Sequence, residues 1–158
     1  MSNEKAQRQE AETFIDHHPL AVVAIDRKRQ APYAAAVFIV RDDDLNLYFI
    51  TKTETEKYKA LKERDQVSVT ISDFHAQKTI QAEGTANEIT ADGTLTEEIF
   101  KKLAHIKPPG NMNWLPPIIK LKAGDYAVIQ IEIFKMRLAN YVDALSTSPQ
   151  QAFHHIIG

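Results

Sequence analysis

The stretch Tyr48-Phe49-Ile50-Thr51-Lys52-Thr53-Glu54-Thr55-Glu56-Lys57 carries an apolar run into a polar one, and its reading decides the fold. Residues 45–51 favour a strand, while residues 54–64 have helix-forming side chains with Tyr58 and Leu61 on one side. Thr53 and Glu56 have capping-box spacing, which places the helix start at Thr53. A strand-to-helix junction of this kind leaves backbone N–H groups unpaired at the positive end of the helix dipole, and anions bind there readily. Thr51 and Thr55 can donate to phosphate oxygens, and Lys57 can supply a point charge. Capping alone also accounts for Thr53 and Glu56, and a surface lysine on a helix needs no ligand. At this level both readings stand.

Working outward, residues 6–18 read as a short helix closed by Pro19, with Ala11, Phe14 and Ile15 as its apolar side. Residues 20–25 form a compact β-branched strand. Residues 33–40 are apolar on both alternating faces, as in a strand buried on both sides. Short polar breaks at residues 26–30 and 42–44 join these strands, which favours antiparallel hairpins over crossovers. Beyond the central junction, Val67, Val69 and Ile71 alternate with Ser68, Thr70 and Ser72. Residues 78–89 form a long strand interrupted by Gly84, which predicts a bulge or a close backbone approach. Leu95, Ile99 and Leu103 recur at helical spacing, a proline-rich loop carries Trp114, and residues 126–138 make the last strand, leaving a tail from about residue 143. The expected architecture is a single mainly β domain, a six-stranded antiparallel β-barrel with peripheral helices.

Composition narrows the function. With 158 residues, 44% hydrophobic and 25% charged, the chain has globular proportions. A net charge of −2 offers no electrostatic grip on nucleic acid or an anionic membrane. Cysteine is absent, which excludes disulfides, thiolate metal sites and cysteine nucleophiles. The first ten residues lack the apolar stretch of a signal peptide, and residues 33–40 are far too few to span a bilayer, so a cytoplasmic location is expected.

The junction and its surroundings resemble the pyridoxamine 5′-phosphate oxidase-like family of FMN-binding split barrels, in its general-stress-protein branch. The resemblance rests on Tyr48-Phe49-Ile50-Thr51 followed by Thr55 and Lys57, and on Glu83-Gly84-Thr85-Ala86 preceded by Lys78-Thr79. It implies that Thr51, Thr55 and Lys57 hold the FMN phosphate. It also implies that backbone groups of Ala35, Ala36 and Val37 border the flavin ring, with Ile50, Lys78 and Thr79 contributing to the site. The family places its cofactor between two subunits, which implies a homodimer, and its flavin chemistry implies an oxidoreductase whose substrate is not specified.

The sequence departs from the family in two ways. Ala35 and Glu56 stand where the oxidases carry arginines, removing positive charge near the phosphate. Arg137-Leu138-Ala139-Asn140-Tyr141 replaces the basic Arg-Leu-His motif of authentic pyridoxamine phosphate oxidases, so that substrate site is expected to be missing. Trp114 reads either as a core anchor or as an aromatic wall over the flavin. The six histidines include the adjacent pairs His17-His18 and His154-His155, whose side chains diverge on a regular element, so no metal site is expected. Split-barrel relatives that bind haem through histidine keep open a non-catalytic FMN- or haem-sequestering alternative.

Overall fold

In a computed structural model describing residues 2–90, 93–108, 110, 113, 124–142 and 152–158, three helices and eight strands are seen among the described residues. In chain order they are α1 (Asn3–His17), β1 (Leu20–Ile25), β2 (Tyr33–Phe38), β3 (Val40–Arg41), β4 (Leu47–Lys52), α2 (Glu56–Glu63), β5 (Gln66–Asp73), β6 (Lys78–Ile89), α3 (Thr94–Ala104), β7 (Tyr126–Asn140) and β8 (Phe153–Ile157). All pairings are antiparallel, in the order β2-β1-β5-β6-β7-β4-β3, with β8 added on β7.

The two ends of that path, β2 and β3, are consecutive in the chain and separated only by Ile39. The sheet therefore curls until it ends where it began. The run expected as one strand over residues 33–40 is divided between the two edges. β2 pairs with β1 and β3 with β4, and the ladder between β2 and β4 is left open. This is the split of the barrel.

Inward residues of every strand but β3 contribute to one core, in which Phe49, Ile25, Ile71, Ile80 and Ile131 are fully buried. Helices close its two ends. Ala11, Phe14 and Ile15 of α1 enter the core, and α1 is tied by Lys78–Glu10 and His18–Asp73 to the β5–β6 turn. Ala60 and Leu61 of α2 enter from the opposite end, where Tyr58 and Lys62 engage Glu88 near the end of β6. An eight-residue helix is too short to persist alone, so this burial holds α2 in place. The helix α3 covers the outside of β4 and β7 through a second cluster of Ile99 and Leu103 against Tyr48 and Val128.

Gly84 meets both expectations for its position. The β6–β7 register shifts between Glu83 and Gly84, and a Cβ there would lie 2.6 Å from the Glu132 carbonyl oxygen. The third expected strand begins at Leu47 because Leu45 takes a left-handed φ of 66° in the preceding turn. The C-terminal segment ends in a strand, β8, rather than trailing as a tail. No helix among the described residues is long and apolar enough to cross a membrane.

Candidate functional site

At the end of β4 the chain makes a short turn before α2, and threonines organise it. The helix starts two residues later than the spacing of Thr53 and Glu56 suggests, and Thr55 is its N-cap. The Thr55 hydroxyl accepts from the Tyr58 N–H at 3.2 Å and donates to the Lys52 carbonyl at 2.8 Å. Thr53 instead lies in the turn, its N–H held by the Asp125 carbonyl at 3.2 Å. The turn closing on Lys52 delivers Thr55, not Thr53, to the open helix end, because the Thr55 N–H also donates to the Lys52 carbonyl.

Thr51 and Thr55 are brought together, with their hydroxyl oxygens 3.0 Å apart, and Thr51 is buried. Lys57 is not the surface lysine of the simpler reading. It is partly buried, and its Nζ lies 5.7 Å from the centre of the Phe49 ring. Burial pushes its pKa down, and nothing counters that. Its lysine neighbours differ: Lys52 reaches Glu54, Lys59 takes Glu56 at 3.0 Å, and Lys62 takes Glu88. Among the described residues no carboxylate pairs with Lys57. Glu56, where the oxidases carry an arginine, is turned along the helix toward Lys59 and leaves the Lys57 ammonium unneutralised.

The helix also packs against β1 and β2, so the junction lies beside the split. The edge of β2 that faces away from β1 has no ladder partner among the described residues. Ala35, Ala36 and Val37 lie on this strand, with Ala36 exposed and Val37 buried. Their strand is one of the three against which α2 packs, with β1 and β4. Ile50 sits one residue before Thr51, packed in the outer cluster under α3.

Lys78 and Thr79 are placed elsewhere. The Lys78 ammonium is 2.7 Å from Glu10 of α1, and the Thr79 hydroxyl is 3.2 Å from that of Ser72. They begin β6, whereas the β6 residue nearest to Thr51 is Ile89, opposite Val128, which pairs with Ile50. Ten residues of strand separate Thr79 from Ile89, roughly 30 Å. Within one chain the two groups of expected flavin contacts do not meet. Trp114 lies outside the described residues.

Four of the six histidines have structural duties. His18 bonds the Phe14 carbonyl at 2.7 Å and Asp73 at 2.9 Å, His17 and His105 bond carbonyls one turn earlier on their helices, and His154 faces Gln7. Among the described residues no three metal-ligating side chains cluster.

Sequence reasoning passed over Phe49 as a site residue, although its ring lies 5.7 Å from the Lys57 ammonium. Its place in the aromatic pair before Thr51 was the available signal.

Comparison with known proteins bears on the fold. No curated protein matches the sequence. Among solved structures, general stress protein 26 from Bacillus anthracis shares 18% identity and a TM-score of 0.64 over 83% of this chain and 92% of its own. An FAD-binding protein from Mesorhizobium loti shares 13% and 0.64 over 82% and 90%. A haem storage protein from Vibrio cholerae shares 13% and 0.62 over 80% and 89%. At such identities the likeness is one of fold. The family profile for pyridoxamine 5′-phosphate oxidase matches residues 7–139, nearly the whole barrel, and the chain belongs to that family.

Proposed function

We propose that the protein is a homodimeric FMN-binding flavoprotein that acts as an oxidoreductase. The observation that carries the reading is Lys57: its ammonium is partly buried over the Phe49 ring with no carboxylate partner among the described residues, two positions beyond the N-cap Thr55 whose hydroxyl touches that of Thr51. A dianionic phosphate there would supply the missing counter-charge and accept from the Thr51 hydroxyl and the open end of α2. The unpaired edge of β2, at Ala35, Ala36 and Val37, offers backbone donors and acceptors to a ring with polar edges. These residues therefore fit the group. A bound flavin supplies hydride or electron transfer, and the protein sets its access, orientation and electrostatics.

Distance and surface support the dimer. If one flavin touches both the Lys57 group and Thr79, the two must come from different copies, because roughly 30 Å of β6 lies between them in one chain. The outer face of the sheet suits such pairing. Leu20, Val22, Ala34, Ala36, Ser68, Thr70 and Ser72 are exposed there, and none is charged.

An authentic pyridoxamine phosphate oxidase activity is not proposed. Ala139, in the position of the oxidases' histidine, is fully buried, and Arg137 is stacked 4.3 Å from the Phe153 ring and bonded to Gln81.

Fluorescence titration of the purified protein with FMN and with riboflavin tests the reading. FMN is expected to saturate at one per chain and to bind more tightly than riboflavin. Equal affinities would remove the phosphate site. Uptake of haemin with no flavin binding would establish the sequestering alternative in its place.

A further inference from the structure

The turn between β5 and β6 displays Phe74 to solvent, at 89% exposure the most exposed large hydrophobic side chain among the described residues. The display is built. Asp73 accepts from the His75 and Ala76 N–H groups at 2.8 and 3.0 Å through one carboxylate oxygen, and from His18 at 2.9 Å through the other. Gln77 takes a left-handed φ of 52°, and its carbonyl accepts the Tyr141 N–H at 3.0 Å. Two other elements, α1 and β7, thus brace a four-residue turn whose tip carries an unburied aromatic ring. A loop free to move would turn such a ring inward, whereas this one is held out.

We infer that Phe74 is an intersubunit anchor, seated against a second copy of this chain as part of the wall of its cofactor site. The choice of partner rests on the composite flavin site proposed above. Phe74 lies five residues before Thr79 in the same hairpin, so a Thr79 that reaches the other copy's flavin carries the braced tip with it. The neighbouring outer face begins with the uncharged, exposed Ser72, Thr70 and Leu20, and Arg137 enters it beyond them beside Gln81. An exposed ring at the edge of such a face is the usual chemistry of an interface anchor.

The chain has no cysteine, so Phe74→Cys installs a unique thiol. Its rate of alkylation by a maleimide is measured across the concentration range in which sedimentation shows monomer passing to dimer. The rate is expected to fall at least tenfold in the dimer. In parallel, Phe74→Ser is expected to raise the dimer dissociation constant at least tenfold while leaving the circular dichroism of the monomer unchanged. Equal thiol reactivity in monomer and dimer, an unaltered dissociation constant for Phe74→Ser, or a parent protein monomeric at all concentrations would each overturn the inference. So would protection that appears only on adding lipid vesicles. A dimer that protects the thiol yet binds no FMN would refute the flavin reading and leave Phe74 in the interface.

Discussion

Two partly buried charges flank strand β4, and the fold treats them in opposite ways. Asp42, ahead of the strand, is surrounded. Its carboxylate accepts from the Asp44 and Asn46 N–H groups, the Asn46 amide and the Tyr48 hydroxyl, at 2.8 to 3.0 Å. Desolvation pushes its pKa up, but the hydrogen bonds from Asn46 and Tyr48 outweigh that and hold the acid below its ordinary value. Tyr48 is pushed up to about 12 by desolvation and by the same bond. Lys57, beyond the strand, has burial without compensation. A charge satisfied within the chain belongs to the architecture, and one left unsatisfied is where a ligand is to be tested for.

The comparison is broken most directly at Lys57. Lys57→Ala is expected to weaken FMN binding by about 1.5–3 kcal/mol, tenfold to a hundredfold, in fluorescence titrations, with riboflavin affinity nearly unchanged. Unfolding by urea is expected to change by less than about 0.5 kcal/mol, because the lost contact with the Phe49 ring and the relieved burial of the charge offset each other. Equal losses for both ligands would mean that Lys57 serves the fold and not the phosphate.

Asp42→Ala should do the reverse, lowering stability by roughly 1–2 kcal/mol and leaving FMN affinity alone. The pH dependence carries the same contrast. Because the folded acid lies below its unfolded value, the Asp42 contribution is complete above the unfolded value and is lost as pH falls through the folded one. For Lys57 the sign is opposite: the ligand-free protein bears the cost while the lysine is charged, and sheds it as pH rises through the lowered folded value. Urea midpoints of parent and variants across pH read both effects.

Thr55 sharpens the comparison because it caps α2 and also touches Thr51 of the candidate site. Thr55→Ala removes the N-cap and should cost about 1 kcal/mol of stability, which Thr55→Ser should largely restore. The smallest effect is expected at Lys78. Its exposed pair with Glu10 is worth at most about 1 kcal/mol, so Lys78→Ala should shift thermal unfolding slightly and FMN affinity by less than tenfold.

Much of this was legible in the residue pattern, and the exceptions have physical causes. The alternation of Val67, Val69 and Ile71, the apolar run at residues 20–25 and the interruption at Gly84 each report a local requirement, and each element stands where it was expected. The junction at Thr51 to Lys57 was legible as a possible anion site, but not its internal arrangement. Thr53 and Thr55 have similar capping chemistry, and only the turn onto Lys52 decides between them. The β8 strand was missed because Phe153–Ile157 lacks alternation and gains its ladder only from the far half of β7. The Lys78–Glu10 pair joins residues distant in sequence, and no local pattern encodes it. The division of residues 33–40 at Ile39 follows from ring closure, which no single strand can announce.

That closure also sets the order in which the barrel can assemble. The β1–β2, β3–β4 and β5–β6 ladders join neighbours in the chain and need only short loops to form. The β4–β7 ladder must bring Leu47 to Ile131, and β7 also carries the long β6 pairing and the β8 strand. Loop-closure entropy therefore falls mainly on one late event, the docking of β7 between two preformed hairpins. Until it arrives, β4 and β6 present bare edges to any other chain. The kinetic hazard of this fold is concentrated in the interval before residues 126–140 leave the ribosome, when two-thirds of the barrel exists without the strand that seals it.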